Sequence, residues 1–320
     1  MQKIIFLFCV ICFFTCQKTQ SKQAVFEAVP VPYFNADSAY SYIEKQVNFG
    51  PRTPNSAAHK ACGDYLIAEM ERFGASVTVQ AVDLTGWDKT VLKARNIISS
   101  FNPEKTTRIL LLAHWDCRPW ADNDKNPANH TKPVDGANDG ASGVGVLMEI
   151  ARQLGLQLPE TGVDILFTDM EDYGEPQFYK GQHNDNSWCL GSQYWAKNPH
   201  TPNYQAKYGI LLDMVGAPDS EFPKEGYSMH YAPRIVEKIW NQAQSLGFGN
   251  YFVNKTCGYI IDDHVPINQI AGIPTVDIIH YTENGFGSFW HTVDDTMENI
   301  DKQTLKAVGQ TVLTVIYQEK

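Results

Sequence analysis

"ILFTDMEDYGEP", residues 165–176, begins as an apolar strand and ends in four carboxylates, Asp169, Glu171, Asp172 and Glu175. Acids crowded at one strand end repel each other and lose hydration, so a cation, a basic partner or open water must offset them. For one such turn taken alone, open water is the simplest reading. Two neighbouring runs change it: "LLLA" (110–113) leads into His114 and Asp116, and "ILL" (210–212) leads into Asp213. Three apolar strands each ending in residues of metal-ligand type need a common explanation.

The fold class follows from the spacing of these runs. "DSAYSYIEKQV" (37–47) has an N-cap-type start and helical spacing of Tyr40, Ile43 and Val47, and "AAHKACGDYLIAEMERFG" (57–74) reads as a second helix that Gly74 stops. Strand-like runs follow at 76–84, 94–100, 108–116, 163–169, 208–216 and 273–281, with helical stretches at 143–155 and 231–247. Short β-rich runs alternating with helices predict an α/β fold, a single globular domain with a central mixed, mostly parallel β-sheet flanked by helices on both faces. The early strands, which follow each other without a helix between them, supply the antiparallel part. In such sheets ligands gather beyond the carboxyl ends of the strands.

A chain of 320 residues, 43% hydrophobic and 19% charged, can bury a substantial core, and a net charge of -10 argues against a nucleic-acid partner. At the start, Lys3 precedes an apolar run from Ile4 to Phe14, too short to span a bilayer comfortably and shaped like an export signal. "FFTCQ" (13–17) resembles a bacterial lipoprotein box. Residues 1–15 are therefore expected to be a signal peptide, Cys16 the lipidated first residue, 16–36 a polar tether and 37–320 the catalytic domain. The expected location is the periplasm or outer membrane of a Gram-negative bacterium, with the membrane touched only through the lipid anchor. The remaining cysteines, Cys62, Cys117, Cys189 and Cys257, show no CxxC spacing, and the sequence chooses no pairing among them.

To the strand ends add "GANDGASG" (136–143), with Asp139 among small residues before a helix, and "FWHTVDD" (289–295), with His291. His114, Asp139, Asp172, Asp213 and His291 mix imidazole with carboxylate and include no thiolate, which suits zinc and, less selectively, manganese or cobalt. Glu171, directly before Asp172, is placed to act as general base or acid for whatever the metal polarises. Each residue has a plainer role open to it: His114 a core histidine, Asp139 a helix cap, Asp213 a turn former, His291 an interfacial side chain. Their shared placement at one sheet edge favours the joint reading.

"HWD", "GANDGASGVGVLMEIAR", "TDMED", "CLGS", "LLDMVG", "DDHVPINQIAGIPTVDI" and "WHTVDDTMENID", in that order, resemble the zinc exopeptidase superfamily, which includes two-zinc aminopeptidases and animal-type glutaminyl cyclases. The resemblance covers nearly everything after about residue 37 and implies the zinc aminopeptidase-like fold. In the aminopeptidases the positions matching His114, Asp139, Glu171, Asp172, Asp213 and His291 supply a bridging aspartate, two outer ligand pairs and the base. In the cyclases one zinc is held by the positions matching Asp139, Asp172 and His291, and His114 and Asp213 become scaffold.

Three features favour the cyclase: Trp290 before His291, matching a Trp-His pair that walls a glutamine pocket; Asp262 opening "DDH", where aminopeptidases more often have serine; and the closing "WHTVDDTMENID". The resemblance then implies a glutaminyl-peptide cyclotransferase with one zinc per chain, acting on peptides or proteins with N-terminal glutamine. Glu171, Asp213 and Asp262 would form the catalytic acids, and Trp290 and Trp188 the pocket walls, with Trp115 and Trp120 as further wall candidates. The alternative is a two-zinc aminopeptidase. Asp169 is expected to orient a histidine ligand, and Glu175 to be solvated. Departures from the animal cyclases are Asp172 in place of a glutamate and Asp277 in place of a histidine.

Overall fold

The computed structural model describes residues 30–320. The expected signal peptide, the lipidation site at Cys16 and tether residues 16–29 lie outside the described residues. The part of the tether that is described does not behave as one: Phe34 is buried, and Gln153, Gln157 and Gln310 donate to the carbonyls of Tyr33, Pro30 and Pro32. An aromatic anchor and satisfied carbonyls bind this stretch to the domain.

Helices α1 (Ala36–Val47) and α2 (Ala57–Arg72) start where Asn35 and Ser56 accept hydrogen bonds from the N–H groups of Ser38 and His59. Gly74, at φ +89°, ends the second in a left-handed turn. Strands β1 (Ser76–Thr85) and β2 (Val91–Phe101) pair antiparallel, as their adjacency predicted. Then follow β3 (Arg108–His114), α3 (Ala141–Leu156), β4 (Gly162–Thr168), α4 (Leu190–Lys197), β5 (Tyr208–Asp213), α5 (Gly226–Tyr231) and α6 (Pro233–Ser245). A short α7 (His264–Pro266) runs into a π turn over Ile267–Ala271, and β6 (Thr275–Ile279) and α8 (Lys302–Tyr317) close the chain. Among the described residues no helix is long and apolar enough to cross a membrane.

The sheet order is β1-β2-β4-β3-β5-β6, with β4, β3, β5 and β6 mutually parallel and β2 antiparallel to β4. The pleat splits each strand between two cores. Ile109, Leu111 and Ala113 of β3 pack with α1, α2, α3, α6 and α8, while Leu110 and Leu112 face Trp195 of α4 and Ile267 of the π turn. Both faces are thus covered, which is why β3, β4, β5 and β6 read as nearly unbroken apolar runs. Because these strands run the same way, His114, Asp169 and Asp213 emerge along one edge. The chain reverses direction across the sheet at β3, whose neighbours β4 and β5 are reached by helices on opposite faces. A crevice at that edge is the topological consequence.

Helix α4 and the α7–π segment were not anticipated from the sequence, being too short to establish a periodicity. Both carry chemistry to the crevice. Glu225 ties the second one down: its buried carboxylate accepts from the N–H groups of Tyr227, Ser228 and Ile260 at 2.8, 2.7 and 3.0 Å and lies 3.1 Å from Nε2 of His264. Burial would raise its carboxyl, but the His264 ring and these amides win and hold it down at about 2. A folded-state value below the usual glutamate range contributes stability that is present above about pH 4.5 and is lost as pH falls toward 2. We expect Glu225→Gln to cost about 3 kcal/mol at pH 7 in denaturant unfolding of metal-free protein, with the gap from wild type closing over that window. A gap that stays constant from pH 7 to pH 2 would contradict the assignment.

Candidate active site

The crevice is floored by strand ends and by the loop before α3. "GANDGASG" is small for a steric reason: a Cβ on Gly140 would lie 2.4 Å from Nε2 of His114, and one on Gly143 would lie 2.1 Å from the carbonyl oxygen of Leu212. Only glycine lets this loop and helix approach β3 and β5 closely enough to deliver Asp139. Asp295 completes the loop by accepting from the N–H groups of Asn138 and Asp139 at 2.8 and 3.0 Å. His291 enters from the opposite wall in a left-handed conformation, φ 55°; Met170 and Met214, each beside a site acid, share that strained region.

Two buried groups of ligand atoms share Asp139. In one, Asp139, Asp172 and His291 bring donor atoms within 4.8 Å of each other; in the other, Asp139 meets His114 and Asp213. His291 Nε2 lies 3.2 Å from Asp172 Oδ1 and 3.6 Å from Asp139 Oδ2. His114 Nε2 lies 3.0 Å from Asp139 Oδ1 and 3.2 Å from Asp213 Oδ1. The first group fits a divalent metal on its own evidence. Both carboxylate oxygens of Asp172 are buried and without a hydrogen-bond partner, and burial, reinforced by the Asp139 charge, pushes that carboxyl well up. Burial, with the Arg118 charge second, holds His291 down at about 3, so its ring is neutral and has a lone pair to offer. In the second group His114 is already engaged by both aspartates; Asp116 first, then Asp139 and Asp213, overcome its burial and raise it well above the usual range.

Beside these lies a cluster of acids. Glu171 and Asp262 approach within 4.8 Å, with Cys189 as the third member. The Cys189 thiol donates to Glu171 Oε1 at 3.2 Å, and burial keeps that thiol protonated. Glu171 is raised well above an ordinary glutamate by burial and by the charges of Asp262, Asp172 and Asp263, with His114 pulling the other way. Asp262 is raised by burial and by Asp213; Asp213 is raised to about 6 by burial and by Asp139. Carboxyls this close share protons rather than all ionising.

Above the acids opens a cavity of about 330 Å³ lined by Asp139, Glu171, Asp213, Asp262 and His291 below and by Trp188, Tyr259, Ile260, Phe286 and Trp290 on its sides. Trp290 stacks on His291 at 3.9 Å between ring centroids, and Trp188 lies parallel to the same imidazole at 6.0 Å. The ligand, acid and Trp188 and Trp290 positions expected from the sequence thus converge. Other expectations need correction. Trp115 is core, stacked on His59, and Trp120 packs with Trp87 and Tyr173, neither lining the cavity. Asp169 holds His59 at 2.9 Å, a histidine on α2 outside the ligand groups. Glu175 is largely buried and accepts from the N–H of Asn184 while meeting His183, fixing a loop. Sequence reasoning missed Cys189 and Asp295, and missed Arg118 and Asp122 in "CRPWADND", where no periodicity marks a buried ion pair.

The model of "Peptidase family M28" matches residues 96–316. A bovine glutaminyl-peptide cyclotransferase is 28% identical over 286 residues, covering 79% of this chain and 74% of that protein. The crystal structure of a glutaminyl cyclase from Bacteroides thetaiotaomicron, bound to N-acetylhistamine, superposes with a TM-score of 0.90 at 57% identity, covering 91% of this chain and 100% of that one. A structure from the same organism described as a leucine aminopeptidase precursor gives 0.90 and 58%, with the same coverage. The chain belongs to peptidase family M28 and, within it, to the branch that holds the bacterial glutaminyl cyclases.

Proposed function

We propose that the protein is a zinc-dependent glutaminyl-peptide cyclotransferase with one zinc per chain, converting N-terminal glutamine of peptides to pyroglutamate. The observation that carries this reading is Asp262 beside Glu171, with Asp213 lining the same aromatic pocket. Cyclisation needs a proton taken from one nitrogen and given to another, and clustered acids that share protons suit that task.

Asp139, Asp172 and His291 would hold the zinc, which when bound supplies Lewis-acid polarisation of the glutamine side-chain carbonyl. Trp290 and Trp188 wall the side chain and exclude water. Glu171 takes a proton from the α-amine as that nitrogen bonds to the side-chain amide carbon. It then delivers a proton to the amide nitrogen, the carbon–nitrogen bond breaks, and ammonia leaves. Asp213 and Asp262 hold the shared proton that keeps the cluster from accumulating charge. His114 argues for one metal, since it already engages an Asp213 oxygen that a second metal would need.

The deciding experiment incubates purified protein with a peptide beginning Gln-Phe and follows product masses and zinc per chain. Loss of one ammonia with one zinc supports the cyclase; free glutamine with two zinc ions would replace it with the aminopeptidase. Glu171→Gln should lower kcat by about 10²–10⁴-fold while zinc content stays at the wild-type level. Trp290→Ala should raise KM by about tenfold with a smaller change in kcat, measured on the same peptide.

A further inference from the structure

Arg118 is a buried arginine in the loop after β3, and every edge of its guanidinium is used. Nε and Nη2 fork onto Asp122 at 2.9 and 2.7 Å. Nη1 donates to the carbonyls of Asp172 and Gly174 at 3.0 and 3.2 Å, and Nη2 to that of Glu175 at 3.4 Å. Its guanidinium carbon lies over the Trp188 ring, 4.6 Å from the ring centroid. Asp122, in turn, places Oδ1 3.6 Å from Nδ1 of His291 and accepts from the N–H of Gln177 at 2.8 Å.

These contacts meet a need created by Asp172. Its arm is one methylene shorter than a glutamate's, so its backbone must be held close to where the metal would sit. Both polar backbone groups are held: the N–H by Asp116 Oδ2 at 3.2 Å, the carbonyl by Arg118. Trp188 is fixed between the Arg118 face and Gly174, where even a methyl group would lie 2.0 Å from the indole.

We infer that Arg118 is a positioning residue that sets the Asp172 backbone and the Trp188 wall together, so that metal affinity and substrate binding depend on one guanidinium. The inference rests on the metal and pocket assignment above. Lysine cannot replace it, because an ammonium neither forks onto a carboxylate nor stacks on an indole.

The test uses the full chain as wild type, Arg118→Lys and Asp122→Asn. Chelator competition for zinc should show Arg118→Lys weakened by about 10–100-fold, the range typical of residues that hold a ligand in place. The visible bands of the cobalt-loaded variant should shift, and KM for a glutaminyl peptide should rise more than kcat falls. A merely structural arginine would lower the unfolding temperature and leave zinc affinity and the cobalt bands of the folded protein unchanged; that result overturns the inference. If Arg118→Lys fails to fold, Asp122→Asn carries the test, because it weakens the fork and leaves the arginine: weakened zinc binding together with a raised KM at saturating zinc supports the inference, since loss of the Asp122 contact to His291 alone would weaken zinc without loosening the Trp188 wall, and an unchanged KM or wild-type zinc binding overturns it. If wild type does not cyclise glutaminyl peptides, the functional reading falls, while the zinc and cobalt measurements still decide the role of Arg118.

Discussion

Buried negative charge at one sheet edge is the constraint on which the rest of the structure depends. Asp139, Glu171, Asp172, Asp213 and Asp262 are each buried, brought together by the ends of β4 and β5, the loop before α3 and the segment before α7. Arg118 stands beside Asp172, and His114 between Asp139 and Asp213. Two such groups do not balance five carboxyls, so the remainder must be met by protons or by a cation. The Asp172 oxygens, buried without a hydrogen bond, mark where a cation would sit, and the raised carboxyl of Asp262 marks where a proton is held.

Much of this was legible in the sequence, for a physical reason. Strands buried on both faces have no polar side, so "ILFT" and "LLLA" cannot be mistaken for surface, and the first polar residue after each stands at the sheet edge. Parallel direction then aligns those edges without any long-range information. What was not legible depends on contacts that no local pattern encodes. Asp169 finds His59 on a helix 110 residues earlier. Arg118 and Asp122 lie in an irregular loop, where an ion pair four residues apart reads as ordinary solvated charge. Cys189 looks like one of four scattered thiols until the turn after β4 places it against Glu171. The docked residues before α1 escaped notice because a single phenylalanine anchors them.

Ligand identity is the least informative part of the site. Asp139, Asp172, His291, His114 and Asp213 would serve a hydrolase with two metals as well as a transferase with one. The discriminating residues sit around them. Asp262 lies beside Glu171 and adds its charge to the acid cluster, and Trp188 and Trp290, both nearly parallel to the His291 ring, line the cavity. Function here is set by which groups compete with the metal for the same carboxylates.

That competition also explains why the site sits on so much rigid structure. Uncompensated acids push apart, and a floor free to move would relax by swinging them into water. It cannot, because Asp139 is held by Asp295 and by glycine contacts to β3 and β5, Asp172 by Asp116 and Arg118, and the segment carrying Asp262 by Glu225. The hydrogen bonds among these are buried polar contacts that an apolar core would not need, and they make sense as a means of keeping charge where solvent would disperse it. The apolar cores on both faces of the sheet supply the stability that this arrangement consumes. The rigidity of the fold and the electrostatic strain of the site are therefore one feature: the strain persists only because the scaffold does not yield, and a cation or a proton-transfer step is what can relieve it.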